Sequence, residues 1–444
     1  MKYRSRTILA GLMIAGNIIR LYGQIAPVAQ DTLKVSLADA WQRAEVHSRA
    51  VEIKKKAAGI AGEEVKDAQM ERYPELSAMS SVEEATNIPV YEHGLFSSPT
   101  QHDAIHTLYR VGADFYFNLY NGNKLNLKIE AEKTLHQMSI IQKEQAVSDI
   151  RYQTAVLYLD LRKSLIFRDL IVRDIADQEK QLVEISAFHK NGIVLKSDVL
   201  RVQLELSKRK MTLVTIENDI QIVTQKLNII IGNPDETVVI PEDIVPEQEA
   251  ERSYDQYLEE AFRHSFPYHI SEQQTNLSRI HLQQVKANIR PKVGIYGNFY
   301  FANPQIFLYP YNPYWYSLGV AGIKISLPIS EVYHNTHKNK AAVLELEKEE
   351  EQHKDVEDKV RQQVKEAFLR YKEALVQIKV AEENVTQAVE NARIIRNAYF
   401  NQTSLITDLL DADVQVLQTR FELAAAGIMA QNKYYLLQNI AGTL

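Results

Sequence analysis

The chain of 444 residues contains no cysteine. That excludes a disulfide framework, a thiolate metal site and a lipid-bearing cysteine after a leader, so the protein does not read as a lipoprotein. It also lacks a block of basic residues, and its formal net charge is -6, which argues against nucleic acid as a partner. Beyond the N-terminus no stretch approaches the roughly 20 apolar residues of a spanning helix, so any passage through a membrane must be made as a β-barrel. P-loop, nucleophile elbow and Rossmann fingerprint are all missing. The sequence points to no enzyme and no cofactor.

What is present is the composition of a folded chain, 45% hydrophobic and 24% charged. Residues 1–23 read as a signal peptide: Lys2, Arg4 and Arg6 precede an apolar core that begins at Ile8, with small residues near Gly23 and Ala29. Its removal takes away four positive charges (Lys2, Arg4, Arg6, Arg20) and no acid, moving the formal charge from -6 to -10. An exported, acidic chain is expected.

The sequence writes one stretch twice. Residues 191–232 return at an offset of 210 as residues 401–442, matching Asn191 with Asn401, Leu195 with Leu405, Asp198 with Asp408, Leu227 with Leu437 and Gly232 with Gly442. In the first copy Val199, Leu206, Leu213, Ile220 and Leu227 recur every seventh residue, and Arg209 alone interrupts the adjacent apolar row. In the second, Leu409, Val416, Leu423, Ala430 and Leu437 do the same. A sustained seven-residue period keeps a narrow apolar seam against a neighbouring helix, so both copies predict coiled-coil partners.

Around this stretch the rest is doubled too. The first repeat, 24–232, comprises a helix over 32–72, a β-hairpin over 75–119 and a helical hairpin over 123–232. The second, 254–444, comprises a helix over 254–290, a β-hairpin over 292–327 and a helical hairpin over 333–442, after a proline-bearing linker at 233–253. Both single helices stop against a proline, at Tyr73-Pro74 and at Arg290-Pro291. The long arm of the first helical hairpin, to about Lys190, is on the order of 100 Å long. The arms turn at Asn191 and Gly192 in the first copy and at Asn401 and Gln402 in the second.

The strand at 107–119 alternates: Val111, Ala113, Phe115, Phe117 and Leu119 share one face, and Arg110, Gly112, Asp114, Tyr116 and Asn118 the other. Such strands are long enough to cross a bilayer tilted. The aromatic cluster Tyr309, Tyr311, Tyr314, Trp315 and Tyr316 suits a membrane–water interface. Arg110, Asp114 and Lys324 would then face water. Four strands cannot close a barrel, so several chains must contribute. The loops 86–106 and 303–313 join the strands at the far end. His334 and His337 could share a helix face, and His93, His102 and His106 share a loop, but no carboxylate or cysteine completes a metal pattern with either group.

Taken together, the twofold repeat, the two proline-ended helices, the strand-to-helix passages FNLYNGNK and ISLPISEVYHN, and the turns NGIVLKSDVL and NQTSLITDLLDAD resemble the TolC-type outer-membrane efflux proteins. The resemblance covers nearly the whole chain after the leader. It implies a mostly α fold with a small transmembrane β part, in which a homotrimer shares a barrel of four strands per chain in outer-membrane lipid. A trimeric α-barrel of coiled-coil hairpins continues it through the periplasm. It also implies a passive exit duct for an efflux pump or for type I protein secretion, partnered by a periplasmic adaptor protein and an inner-membrane transporter. An exported coiled-coil scaffold without a pore is the competing class, and the four strands speak against it.

The resemblance places control at the periplasmic tip. Asp408 and Asp411 align with the acids that ring the closed entrance, and Asp198 and Tyr399 with partners in the latch of the inner hairpin. The arginine of that latch is replaced by Ser404, and the turn glycine of the second copy by Gln402. Helix capping competes with these roles, because Ser197-Asp198 and Thr407-Asp408 stand near helix starts.

Overall fold

The computed structural model describes residues 32–243, 252–308 and 310–444. The expected leader, the linker residues 244–251 and Tyr309 lie outside the described residues. The chain opens with β1 (Thr32–Val35), α1 (Leu37–His47) and α2 (Arg49–Met70). There follow β2 (Glu75–Glu84), a small pair β3 (Ile88–Val90) and β4 (Thr100–His102), and β5 (Thr107–Tyr120). The first helical hairpin is α3 (Lys124–Lys190) and α4 (Lys196–Ile231). After β6 (Val238–Pro241) come α5 (Tyr254–His264), α6 (Phe266–Lys286), β7 (Lys292–Asn303), β8 (Tyr316–Ser326), and the second hairpin, α7 (Glu331–Phe400) and α8 (Ile406–Ala441).

The helix expected over 32–72 is three elements. Residues 32–35 are extended and pair in parallel with β6, Leu33 opposite Val239 and Val35 opposite Pro241. Helix begins only after Ser36, whose hydroxyl accepts from the Asp39 N–H at 3.1 Å. Ser48 then divides it: its N–H donates to Ala44 O at 2.8 Å, ending α1, while its hydroxyl accepts from the Val51 N–H at 3.4 Å, starting α2. Ser265 makes the same break in the second repeat, its N–H reaching Ala261 O at 2.7 Å. The helix expected over 254–290 is accordingly α5 and α6, closed by a single 3₁₀ turn at Ala287–Ile289. The linker also departs from expectation, since it carries β6, and the loop 86–106 folds back on itself as the β3–β4 pair.

Buried Tyr158 secures the β1–β6 pair to α3, its hydroxyl within 2.9 Å of both Val35 O and Glu242 O. Nearby, the Trp41 indole N–H donates to Arg151 O at 2.9 Å and its ring meets Tyr435 edge-on at 5.7 Å. This waist holds the first core, around Ala40, Ala44, Leu161, Leu227 and Ile231. The equivalent core of the second repeat gathers Tyr257, Ala261, Val364 and Leu437. Within each hairpin the two long helices pack on one another, and α3 meets α8 where the hairpins join.

At the other end β2, β5, β7 and β8 form one antiparallel sheet in that order, so the two repeats join through β5 and β7. The register puts Leu76, Val111, Phe115, Phe299, Ile323 and Ile325 on one face, most of it exposed. Ser77, Asp114 and Asn298 form one row of the other face, Ser81 and Arg110 another, and Lys324 lies opposite Gly294 on the same side. Arg110 and Tyr300 touch there, guanidinium carbon 4.9 Å from the ring centre. Glycines on this polar face lie beneath tyrosines: a Cβ on Gly294 would sit 2.7 Å from the Tyr116 hydroxyl, and one on Gly322 3.1 Å from Tyr296. Rings over glycines let a sheet curl toward that face without crowding. The outer edges of β2 and β8 are unpaired among the described residues.

Candidate functional site

The far tips of the two hairpins are built by the same backbone turn. α3 ends with Gly192 at φ 73°, its N–H donating to His189 O at 3.0 Å and the Ile193 N–H to Phe188 O at 2.9 Å. α7 ends with Gln402 at φ 60°, its N–H donating to Tyr399 O at 2.9 Å and the Thr403 N–H to Ala398 O at 2.8 Å. This paired arrangement is the Schellman motif, which needs a left-handed residue after the helix cap. Glycine takes that conformation freely, whereas a side chain at 402 takes it with strain. Asn191 and Asn401 are the caps themselves.

The tips pack against each other. Ile185, Val202, Tyr399, Ile406, Leu409 and Leu410 form one buried cluster drawn from all four helices. Phe188 meets Phe400 edge-on at 5.6 Å, and Arg396 reaches Glu184 at 3.4 Å. Burying this cluster supplies the cohesion of the tip, since each well-buried aliphatic side chain contributes about 1.5–3 kcal/mol.

Asp198 and Tyr399, from different hairpins, are brought together here. Tyr399 is 7% exposed, and its buried hydroxyl has no hydrogen-bond partner. Burial first, and then the nearby charge of Asp198, push its phenol above the usual range. Asp198 instead accepts from the Ser197 hydroxyl at 3.3 Å. The two are neighbours without a bond between them.

Asp408 and Asp411 differ from each other. One oxygen of Asp408 accepts from the Leu405 N–H at 3.1 Å and from the Ser404 hydroxyl at 2.8 Å. Those contacts, the backbone N–H foremost, hold its carboxyl below the usual value. It caps the start of α8, and Ser404 serves that cap instead of reaching across to the other hairpin. Asp411, one turn further, is exposed and has no hydrogen-bond or ion-pair partner among the described residues. The sequence set Asp408, beside Thr407 at the helix start, as the acid open to capping, and the geometry shows it capping while Asp411 stays clear of the helix start.

One group at the join escaped sequence reading except as a blemish in the heptad. Arg209 is 4% exposed and bonded to Asp174 of α3. Seen in the sequence alone, a basic residue in an apolar row signals a break in packing; here it is enclosed.

Residues 271–443 match the family model described as outer membrane efflux protein. That match covers less than half of the chain. Over nearly its full length the chain also shares the fold of solved channels. The outer-membrane channel OprN is 14% identical, with a TM-score of 0.77 over 92% of this chain and 90% of that one. The outer membrane protein VceC of Vibrio cholerae is 16% identical, with a TM-score of 0.74 over 91% of this chain and 96% of that one. The open-state MtrE channel of Neisseria gonorrhoeae is 14% identical, with a TM-score of 0.70 over 92% and 89%. No curated protein matches in sequence. The TolC-type fold is thus present from β1 to α8, and the match to the efflux-protein model takes in α7, α8, the second pair of strands and most of α6. OprN, CmeC and MtrE are each described as outer-membrane channels.

Proposed function

We propose that the protein is a passive, gated exit duct in the outer membrane, assembled as a homotrimer. It carries substrates handed over by an inner-membrane transporter and a periplasmic adaptor. The observation that carries this reading is the sheet: one face exposed and apolar, the other polar and roofed by tyrosines, with both edges open. An exposed sheet of that kind is an aggregation hazard in water. It is resolved when the apolar face meets lipid and the edges of β2 and β8 pair with further copies, closing a barrel around the polar face. The helical hairpins, on the order of 100 Å long, then continue the bore into the periplasm.

In this reading the tips form the entrance. Asp411, with its free carboxylate, lines it and attracts cations, Asp408 frames it as a capped neighbour, and Asp198 with Tyr399 marks the contact that parts on opening. Energy comes from the transporter, and opening is a repacking of the hairpins biased by the adaptor. A duct for type I secretion has the same architecture. A coiled-coil scaffold without a pore has no use for the two-faced sheet.

The test is conductance in a planar bilayer of protein purified from outer membranes, with its mass measured in the same detergent. A trimer with small, cation-selective currents blocked by divalent cations supports the duct. A water-soluble particle without current removes it.

A further inference from the structure

Below the waist the four long helices stand in a row: α4 packs on α3, α3 on α8 and α8 on α7. The inner two meet a helix on both sides, the end two on one. Yet α4 carries a second apolar stripe. Leu204, Met211, Ile222 and Ile229 are each about half exposed or more, and at 3.6 residues per turn they fall opposite the buried seam of Val202, Leu206, Ile216 and Leu227. The other end helix repeats the arrangement, with Leu369, Val376, Val380 and Ile394 opposite the buried Ala367, Ala374, Ala381 and Ala388 of α7. A helix apolar on two opposite faces is built for a neighbour on each.

The missing neighbour is a second copy of the chain. The sheet runs β2-β5-β7-β8, so the first repeat is outermost on one side and the second on the other, as in the row of helices. A neighbour that pairs its β8 with β2 therefore brings its α7 to α4. The heights agree as well. Phe167, 23 residues from the foot of α3 at Lys190, stacks on Phe421, only 15 from the foot of α8 at Ile406, so the first hairpin reaches lower than the second. Within each hairpin the arms are nearly level, as Lys210 meets Glu179 and Tyr371 meets Tyr434. Copies related by rotation about the bore keep these heights. Ile229, 33 residues above Lys196, is then about level with Val376, 24 above Phe400, and Ile222 about level with Val380.

We propose that α4 of one copy and α7 of the next close the helical part of the ring as an antiparallel seam, with Ile229 beside Val376 and Ile222 beside Val380. That the ring surrounds a bore rests on the duct reading above; the joining of copies through these stripes is read separately.

The chain has no cysteine of its own, so introduced thiols report without background. The full chain carrying Ile229→Cys and Val376→Cys is treated in outer membranes with a short bifunctional maleimide, then separated under denaturing conditions. Two helices lie between these positions within one chain, so a link between them requires two copies. Bands at two and three chain masses are expected from the greater part of the protein. Ile229→Cys with Ile394→Cys uses the same stripes about 27 Å out of register, and should link about tenfold less or lower still. The seam is overturned by a two-chain band from Ile229→Cys alone, by equal linking of the out-of-register pair, or by no band from the matched pair. Should the first pair fail to reach the outer membrane, Ile222→Cys with Val380→Cys decides by the same readout. A trimer with current but no band defeats the seam and leaves the duct; linked copies without current defeat the duct and leave the seam.

Discussion

Gly442 sits directly on the backbone of His264: a Cβ at that position would lie 2.2 Å from the His264 carbonyl oxygen. The equivalent residue of the first repeat, Gly232, sits on the ring of His47, where a Cβ would lie 2.4 Å away. Both glycines end their long helix in the left-handed conformation, at φ 77° and 76°. Both histidines end the short helix of the same repeat, one residue before the serine that breaks it. The duplication thus preserves a contact between two helix ends as well as a run of letters.

Alanine at either glycine is expected to destabilise by about 1 kcal/mol from conformation alone, with a further loss from the close approach. The loss is larger for Gly442→Ala, where the obstacle is backbone, than for Gly232→Ala, where a ring can move. Thermal melting of the assembled protein in detergent orders the two, and equal losses would contradict the contacts.

Gln402→Gly is expected to stabilise the second tip by about 1 kcal/mol, because the left-handed strain disappears. Gly192→Gln is expected to cost the first tip a similar amount. Its site has open space around it, so strain is the whole effect. Exchange rates of the amides at 193 and 403, which close the two turns, read each change locally.

Tyr399→Phe removes a buried hydroxyl that has no partner. Stability should hold or rise, by up to about 1 kcal/mol. A loss of that size would mean the hydroxyl is bonded to Asp198 in the assembled protein. Denaturation of the variant beside the parent distinguishes these.

The two acids at the start of α8 should separate by mutation. Asp411→Ala is expected to raise conductance and weaken block by divalent cations while leaving the helix start intact. Asp408→Ala should in addition speed exchange at residues 405–409, since the cap is lost. The folded Asp408 carboxyl titrates below its ordinary value of 3.8, so the cap's contribution is fully present above that value. It is lost as the pH falls through the depressed folded value. An Asp408 titration midpoint above 3.8, followed by carbon NMR, would remove the cap.

Aspartate on the apolar sheet face, as in Val111→Asp or Ile323→Asp, is expected to destabilise by less than the roughly 2–4 kcal/mol that a basic residue costs at mid-bilayer, and still to deplete the protein from outer membranes. Ser81→Asp, on the opposite face, should leave its abundance unchanged. Membrane fractionation of the three variants makes the comparison.

The long helices and the main strands were legible because each follows a period set by backbone geometry, seven residues for a coiled-coil seam and two for a pleated face. The tip turns were legible from Asn191-Gly192 and its degraded copy. The break at Ser48 was not, since no proline or glycine stands beside it; the break at Ser265 did carry a signal that went unread, Pro267 in the first turn of α6. β1 and β6 were hidden for another reason: four residues hold too little pattern, and their pairing spans about 200 positions. The enclosure of Arg209 required the third dimension, because its partner Asp174 comes from another helix.

The β1–β6 pairing also orders events in time. Residues 32–35 gain their hydrogen-bonded neighbour only when residues 238–241 have followed. The whole first repeat, with α3 and α4 folded back on each other, must lie between. A chain delivered from its N-terminus therefore presents β1 well before β6, and β1 waits for its strand partner until about half of the chain has followed.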